Sequence, residues 1–524
     1  MSAMARGATA RWAPIGVLAA GSVGTMLAAT IVNVALPSII GAFGLGQDQA
    51  QWLSTAFLTS STGFMLLNTW AVARFGMRRT FAAAMCVFIM GSAIGATSSG
   101  LETLVIGRVM QGAGAGLIQP MAMLLIFQSF PENSRGTAIG IYSLGVILSP
   151  AFGPVVGGML IDWADWRIVF VATVPLALAA IPLAFLFLPD SQANGRPGAR
   201  RAPRLDWQGL VLVIAAIALT LQGLAHGHRE GWDDMGAALR LGGAAVAAGV
   251  FLVWEHAHPF PVLNLRLFAN AGFVLAGLVI LLTGLAIYGS TYLVPLFVQL
   301  VQHYSPSGAG EVLLPAGIAM VIGFPLAGRI SDHVDARWLL GAGVAMFGAS
   351  MWLLSGLSAA TGWTTMAAFI ALSRIGIATV MPAANASAMR QVTPEMLAFA
   401  APAATFLTQA GGALGVAGLS VLLQERAAFH ADALAGLVTQ ANGQAVEALE
   451  TMRAGLAEAG FDPSAAQIGA QQQLASSMWL SAQALAFRDC FFAIGLAFAA
   501  LLFVVPLIPQ GRGHEKPSKT GSAP

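Results

Sequence analysis

The sequence predicts an all-α polytopic membrane protein, and three observations lead to this fold class. Of the 524 residues, 57% are hydrophobic and only 9% are charged, whereas about 25% of the residues in soluble domains are charged. The apolar residues form long continuous runs, close to the roughly 20 residues that a membrane helix needs. Strands of a transmembrane barrel would instead alternate polar and apolar residues over about ten positions. The composition therefore excludes a soluble enzyme, a disordered chain and a nucleic-acid-binding protein.

The apolar runs predict fourteen spans in a 6+2+6 arrangement. The first six lie at about 13–40, 50–72, 79–98, 101–129, 135–162 and 166–188. The next two lie at about 206–226 and 237–255. The last six lie at about 270–299, 308–331, 337–357, 361–389, 395–426 and 486–508. No cleavage site follows the first run, so it is interpreted as an anchor and not as a cleaved signal.

These spans predict two bundles separated by an insertion. An N-terminal six-helix bundle covers 13–188, a cytoplasmic linker with two inserted helices covers 189–269, and a C-terminal six-helix bundle covers 270–508. Within the last bundle, the Ala- and Gln-rich segment 427–485 is predicted to be a partly helical extracytoplasmic loop. Whether that loop is a solvated insertion or docks a partner stays open. Residues 509–524 form a cytoplasmic tail.

Basic residues orient the chain. Arg6 and Arg11 precede the first span, Arg74, Arg78 and Arg79 lie between the second and third, and further arginines follow at alternate loops. The other loops are nearly free of positive charge, so the positive-inside rule places both termini in the cytoplasm. An even number of spans agrees with both termini lying on one side. The expected location is the inner membrane, as a multi-pass protein.

A short repeat organises the two bundles. The segment TWAVARFGMRR ends at Arg79, and GRISDHVDAR ends at Arg337; each follows the second span of its bundle. Aligned, they pair Arg74 with His333, Gly76 with Asp335, and Arg78 with Arg337. Two halves related by a repeat are a known transporter arrangement, with the substrate site between them near the bilayer midplane.

The fifth span carries small residues on one face. Gly145, Ser149, Gly153 and Gly157 are spaced by four, and Pro150 and Pro154 interrupt the same helix. Such a face lets a neighbouring helix approach closely, while proline bends the helix.

The order of several motifs resembles that of a known family. The motifs are Asn33-Val34-Ala35-Leu36-Pro37 in the first span, Arg108, Gln111, Gly112, Gly114 and Gly116 in the fourth, Gly153-Pro154-Val155-Val156-Gly157-Gly158 in the fifth, and Trp166, Arg167 and Phe170 after it. Together they resemble the fourteen-span drug:proton antiporters of the major facilitator superfamily, of the EmrB type, over residues 13–508. The resemblance implies the major facilitator fold, with two pseudo-symmetric six-helix bundles. It also implies a gating interface at the fifth span and a role for Arg108 in proton coupling.

Three positions depart from that family. Ala28 stands where the first span usually has an aspartate, and Thr69 and Ala73 replace the usual Gly and Asp of the N-terminal loop motif. The C-terminal copy keeps Gly328 and Asp332. The membrane carboxylate used for proton exchange or cation binding is therefore absent from its usual place.

The candidate residues fall into three groups. Proton coupling is assigned to Arg108, Asp332 and Glu311, the last being either an interfacial residue or a displaced proton site. Polar side chains on apolar spans predict a substrate cavity lined by Thr30, Asn33, Gln111, Gln119, Tyr288, Tyr292, Asn385 and Gln409. Gating and interface motifs comprise Arg74, Gly76, Arg78, Gly145, Gly153, Pro154, Gly157, Gly158, Gly328 and Arg337. Arg374 lies near the repeat equivalent of Arg108 but is displaced by one turn.

The sequence favours a proton-driven exporter of lipophilic drugs or similar small molecules. Its alternatives are a carrier of a specific anionic or neutral metabolite with atypical coupling, and a transport-inactive membrane scaffold or sensor. An enzyme is not expected, since no nucleophile–base motif or nucleotide loop is present. No cofactor and no metal site are expected, because the histidines lack acidic or cysteine partners at ligand spacing. The expected partners are a small molecule, protons and the lipid bilayer, with a periplasmic adaptor left open and nucleic acid excluded.

Overall fold

The structure, a computed structural model, describes residues 3–45, 47–189, 204–304, 306–358, 361–436, 438 and 443–509. Most of the predicted linker at 189–205 and nearly all of the tail at 509–524 lie outside these residues. The described residues are overwhelmingly helical and contain no strand. The predicted all-α fold class is confirmed.

Sixteen α-helices follow one another in the described residues. They are α1 Ala3–Phe43, α2 Gln47–Phe75, α3 Met77–Ala96, α4 Leu101–Ser129, α5 Glu132–Trp163, α6 Ile168–Val171, α7 Val174–Phe187, α8 Trp207–Glu230, α9 Met235–Ala257, α10 Ala271–Leu300, α11 Pro306–Ser331, α12 Ala336–Ser355, α13 Trp363–Arg390, α14 Leu397–Ala435, α15 Gly443–Glu458 and α16 Pro463–Val504. Twelve helical stretches of the described chain are long and apolar enough to cross a membrane. The remaining two predicted spans are α2 and α5, whose 29 and 32 residues suffice in length.

The sixth predicted span is divided in two. A short helix, α6, ends at Val171, and α7 begins at Val174 with Pro175 in its first turn. Proline fits a first helical turn because its missing N–H would have no partner there. The proline thus starts a new helix where the apolar pattern alone predicts a continuous one.

The last helix begins well before its predicted start near 486. Asp462 caps α16 by accepting from the N–H groups of Ser464 and Ala465, at 2.9 and 3.0 Å. Residues 463–485 are rich in Ala and Gln, which favour helix without being apolar. The segment 427–485 is accordingly the end of α14, the short α15 and the start of α16, apart from residues 437 and 439–442, which lie outside the described residues.

The repeat predicted from sequence has a shared structural function. Arg78 donates from Nε and Nη2 to the carbonyl of Leu188, at 3.1 and 2.9 Å, and so ties the start of α3 to the end of α7. Arg337 donates from Nε to the carbonyl of Ile508 at 2.7 Å and ties α12 to the end of the last helix. Each arginine therefore ties the loop after the second helix of its bundle to the end of the bundle's last helix. The end of the molecule that holds both arginines is called the basic end below.

The loop before α3 requires a glycine. Gly76 has a φ of +83°, a backbone conformation that residues with a Cβ rarely adopt. Its repeat partner Asp335 caps α12 instead, accepting from the N–H of Arg337 at 3.0 Å. The two loops thus start equivalent helices by different means.

The inserted helices α8 and α9 pack beside both bundles. On α2, a Cβ at Gly63 would overlap Ile214 of α8. Trp232, between α8 and α9, donates from its indole to Glu425 of α14 at 2.7 Å. The insertion therefore contacts one helix of each bundle.

We predict that Arg337→Ala lowers the free energy of unfolding by about 1 kcal/mol, because it removes a charge-assisted hydrogen bond at a partly exposed site. Thermal unfolding of the purified protein in detergent measures this. Arg329→Ala is the matched control, since Arg329 is exposed and lies only eight residues away. Equal losses in the two variants would contradict the assigned clamp.

Candidate functional site

A central cavity of about 260 Å³ lies between the two bundles. Its walls come from α4 and α5 of the first bundle and from α10, α11, α13 and α14 of the second. Most of the lining is apolar and includes three methionines, Met123, Met320 and Met381. Methionine adapts its shape to differently shaped ligands, and an apolar pocket with few polar groups is typical of small-molecule sites.

Four of the eight predicted cavity residues line this cavity: Gln119, Tyr288, Asn385 and Gln409. Tyr288 donates its hydroxyl to Oε1 of Gln409 at 2.5 Å, so two of them are held by each other. Asn385 donates to the carbonyl of Met381 at 3.0 Å within its own helix. Tyr142, which is not among the predicted cavity residues, also lines the cavity, and its hydroxyl lies 3.0 Å from the hydroxyl of Ser22.

The other four predicted cavity residues lie elsewhere in this conformation. Thr30 faces Gly153 of α5, and Asn33 is exposed and accepts from Ser54 at 2.9 Å. Gln111 is buried within the first bundle, and Tyr292 lies one helical turn beyond Tyr288 and does not line the cavity. A polar residue on an apolar helix requires a partner, but that partner can be the neighbouring helix and not a ligand.

Arg108 is fully buried and lies outside the cavity. Its Nε donates to the carbonyl of Leu53 at 3.0 Å, and its Nη1 donates to the carbonyl of Ala28 at 3.1 Å and to Gln111 at 2.9 Å. The guanidinium also lies 4.3 Å from the ring centroid of Phe57, a cation–π geometry. Arg108 thus bonds to the backbone of the residue where the family usually places an aspartate.

Arg374 occupies a different environment. It is 5% exposed and lines the central cavity. Its Nη1 and Nη2 donate to the hydroxyls of Ser290 and Thr291 on α10, at 3.1 and 3.4 Å. The sequence shows Arg374 as a charged residue inside an apolar span, displaced by one turn from the repeat equivalent of Arg108.

The small-residue face of α5 packs against its own bundle, contrary to the expectation that it meets the other half. A Cβ on Gly145 would approach Val23, and one on Gly153 or Gly157 would meet Thr30 or Ile31, all on α1. Gly158 has open space around its Cα, and the side chain of Pro154 lies outside the described residues. The spacing predicts a close helix contact correctly, but spacing alone cannot tell which helix approaches.

The bundles meet at the basic end through a different part of α5. A Cβ on Gly136 would lie 2.6 Å from the carbonyl oxygen of Gly328, and one on Gly140 would overlap Phe324. At this contact Asp332 accepts from the N–H of Gly136 at 2.7 Å, from the N–H of Thr137 at 3.0 Å and from the Thr137 hydroxyl at 2.6 Å. We call these three hydrogen bonds the Asp332 latch. Gly328, a predicted interface residue, and Asp332, predicted for proton coupling, thus join the two bundles.

The second contact at this end, between α2 and α14, is looser. Thr69 donates to the carbonyl of Ala398 at 2.7 Å. Beside it lies a cavity of about 490 Å³, lined by Ala73 together with Trp70 and Phe399. Thr69 and Ala73 correspond by the repeat to Gly328 and Asp332, so this cavity lies where a second latch would stand.

Glu311 and Arg74 lie away from these contacts. Glu311 is exposed near the start of α11 and does not line the central cavity, which favours its interfacial interpretation. Arg74 is exposed at the end of α2, with its guanidinium 5.9 Å from the ring centroid of Phe75.

Two buried carboxylates are not among the site residues predicted from the sequence. Asp206 and Glu255 are 3% and 2% exposed. Asp206 Oδ1 accepts from the N–H of Gly209 and from the indole of Trp254, both at 2.9 Å, while Glu255 Oε2 accepts from the N–H of Leu263 at 3.2 Å. Their remaining oxygens have no hydrogen-bond partner among the described residues, and each lies 2.5 Å from the position of a Cβ on Gly209. The two oxygens therefore flank the same point beside Gly209, and Oδ2 of Asp206 also lies 3.8 Å from Nδ1 of His258.

Several known proteins are similar to this chain. The tetracenomycin C resistance and export protein of Streptomyces glaucescens is 29% identical over 97% of this chain and 94% of its own length. The multidrug export protein EmrB of Haemophilus influenzae is 30% identical over 60% of this chain and 61% of its own length. The methylenomycin A resistance protein of Streptomyces coelicolor is 29% identical over 78% of this chain and 85% of its own length.

Solved structures share the fold at low sequence identity. The proton:xylose symporter XylE aligns with a TM-score of 0.58 at 15% identity, over 96% of both chains. The human organic anion transporter MFSD10 aligns with a TM-score of 0.59 at 14% identity, over 94% of this chain and 99% of its own. A family model described as Major Facilitator Superfamily matches residues 18–416. With its two helical bundles around a central cavity, the chain belongs to the Major Facilitator Superfamily.

Proposed function

We propose that this transporter exports lipophilic small molecules by proton-driven antiport and alternating access. The observation that carries the proposal is the central cavity, whose largely apolar walls come from both bundles. Burial of apolar surface would supply most of the binding free energy, about 25 cal/mol per Å². Export or resistance in the names of three relatives supports the direction of transport.

Residues 13–188 and 270–508 are the proposed moving bodies, and residues 189–269 form the insertion beside them. The positive-inside rule would make the basic end cytoplasmic in the inner membrane, with both termini on that side. The contacts at Gly136 and Gly328 would then close the cytoplasmic side in this conformation. The helical segment around α15 lies at the opposite end in this orientation and offers a surface for an adaptor protein.

Proton coupling is proposed to involve the Asp332 latch. A charged carboxylate accepts all three hydrogen bonds of the latch, whereas a protonated one has lost part of its acceptor capacity. Protonation of Asp332 would therefore favour separation of the bundles at this end. Arg108 is proposed to stabilise one conformation of the first bundle, since its donors hold the backbones of both α1 and α2. Glu311 remains a proposed coupling residue on the grounds of sequence alone.

A carrier of an anionic metabolite is the second candidate. One observation favours it: the charged group in the cavity wall is the guanidinium of Arg374, and the described lining residues include no carboxylate.

In proteoliposomes, we predict that tetracenomycin C or methylenomycin A causes proton flux and that an imposed pH gradient drives accumulation of the compound. A pH-sensitive dye in the lumen and measurement of retained compound provide the two readouts. Arg108→Ala is expected to reduce both by more than about tenfold while the protein still inserts, because its buried donors hold two helices together. Arg329→Ala is the control and should transport normally. Transport that does not depend on the pH gradient would refute proton antiport. Full activity of Arg108→Ala would refute the proposed coupling role of Arg108.

We predict that Asp332→Asn opens the basic end, because an amide nitrogen cannot accept from the N–H and hydroxyl of Thr137. Spin labels at Arg79→Cys and Arg329→Cys, in a Cys86→Ser/Cys490→Ala background, report the distance between the bundles. The long-distance population should be larger in Asp332→Asn than in the parent protein at neutral pH. Asp462→Asn makes the same chemical change outside the latch and should leave the distances unaltered. Identical distance distributions in all three proteins would refute the latch.

A further inference from the structure

The central cavity contains a positive charge that the described protein residues do not neutralise. Arg374 donates to the hydroxyls of Ser290 and Thr291, both neutral. Those hydroxyls in turn donate to carbonyls of their own helix, Ser290 to Ala286 and Thr291 to Ile287. No described carboxylate lies within ion-pair distance of Arg374. Burying a charge is costly unless an opposite charge or several strong hydrogen bonds accompany it.

Arg108 also lacks a carboxylate partner among the described residues, and its Nη2 has no hydrogen-bond partner there, so it differs from Arg374 in its position relative to the cavity. Both residues lie on the fourth helix of their bundle, and both reach towards the first helix. Arg108 is enclosed by two carbonyls, an amide and an aromatic ring, away from the cavity. Arg374 instead forms part of the cavity wall. A ligand in the cavity can reach Arg374 and cannot reach Arg108.

A second residue, with a donor left unpaired in the described part of the chain, lines the cavity from the other bundle. Gln119 lines the cavity and is 6% exposed, yet its Nε2 has no hydrogen-bond partner among the described residues. A buried N–H without an acceptor is costly. Gln119 belongs to α4 and Arg374 to α13, so one acceptor group between them would contact both bundles at once.

We infer that the central cavity binds small organic acids, whose anionic group pairs with Arg374 and accepts from Gln119. A carboxylate suits this role because its two oxygens can accept from a guanidinium and from a second donor together. The apolar body of the acid would lie against Met123, Ile287, Met320 and Ile377. The inference rests on the proposed function and refines it, since it selects lipophilic acids over the lipophilic cations that a membrane carboxylate would attract.

Three ligands of nearly equal size test this inference. They are 2-naphthoate, its neutral amide 2-naphthamide, and 2-naphthylmethylamine, which is a cation at neutral pH. Isothermal titration calorimetry of the full chain in detergent gives their affinities. The parent protein should bind the acid at least about tenfold more tightly than the amide, as expected for a charge-assisted pair, and more tightly still than the cation. Equal affinities, or preference for the cation, would overturn the inference.

Variants assign the preference to its residues. Arg374→Gln should reduce the preference for acid over amide to below about twofold while leaving amide binding intact. Arg374→Lys should retain a smaller preference, because lysine keeps the charge but loses the planar fork. Gln119→Leu should weaken binding of the acid and leave Arg374 in place. Arg229→Gln is the matched control, since Arg229 is exposed on the inserted α8, and it should keep the full preference.

If Arg374→Gln does not fold, Arg374→Lys and Gln119→Leu still test the inference. An unchanged preference for the acid over the amide in both variants would overturn it. Binding is measured without transport, so the two proposals fail separately. Selective binding of the acid with no proton flux would refute the exporter alone. Proton-driven transport without a preference for the acid would refute the inference alone.

Discussion

The approach of two backbones at Gly136 and Gly328 is the constraint on which the rest of the structure depends. A side chain on Gly136 would overlap α11, and a side chain on Gly328 would overlap α5. Only because the helices are this close can Asp332 reach the N–H groups of Gly136 and Thr137. The same approach brings the walls of the cavity together, since α5 and α11 both line it. Small residues replace hydrophobic driving force inside a membrane because they allow such close packing.

The two bundles share a structural repeat but differ in the charged residues that they place at equivalent positions. Arg78 and Arg337 perform the same clamp, each on the last carbonyls of its own bundle. Asp332 has no acidic counterpart, since Ala73 occupies the matching position. The two arginines of the fourth helices also differ, one enclosed and one in the cavity wall. Structural positions of the repeat are thus retained, while the charged groups between the bundles are concentrated in the second half.

Much of the architecture follows from composition and spacing. Long apolar runs are a strong signal because the bilayer core fixes the length of a spanning helix, and all fourteen predicted spans are helical. The Arg78 clamp follows from the repeat. The start of α16 cannot be predicted from apolar runs, because a helix that extends beyond the membrane is no longer apolar there. It still contains residues of high helix propensity, such as Ala and Gln.

The site was harder to predict, and the misses share one cause. Periodicity predicts that Thr30, Gly153 and Gly157 lie on helix faces that contact another helix. It does not predict that α1, with Thr30, and α5, with the two glycines, contact one another. The sequence shows that Arg374 is a charged residue within a membrane span. Whether its side chain lines the cavity depends on how the six helices around the cavity are rotated relative to one another. Asp206 and Glu255 are 49 residues apart, and only the packing of α8 against α9 brings both carboxylates beside Gly209. Which face of a helix meets which neighbour is a tertiary property that a single sequence does not encode locally.

The inserted helices also make the two sides of the transporter unequal towards lipid. Two seams run between the bundles, one along α5 and α11 and the other along α2 and α14. The insertion covers the second seam, through Ile214 against Gly63 and through Trp232 bonded to Glu425. Helix α8 therefore takes the place of lipid acyl chains against α2 and α14. The two seams thus face the bilayer differently, one through the inserted α8 and the other through α5 and α11 themselves.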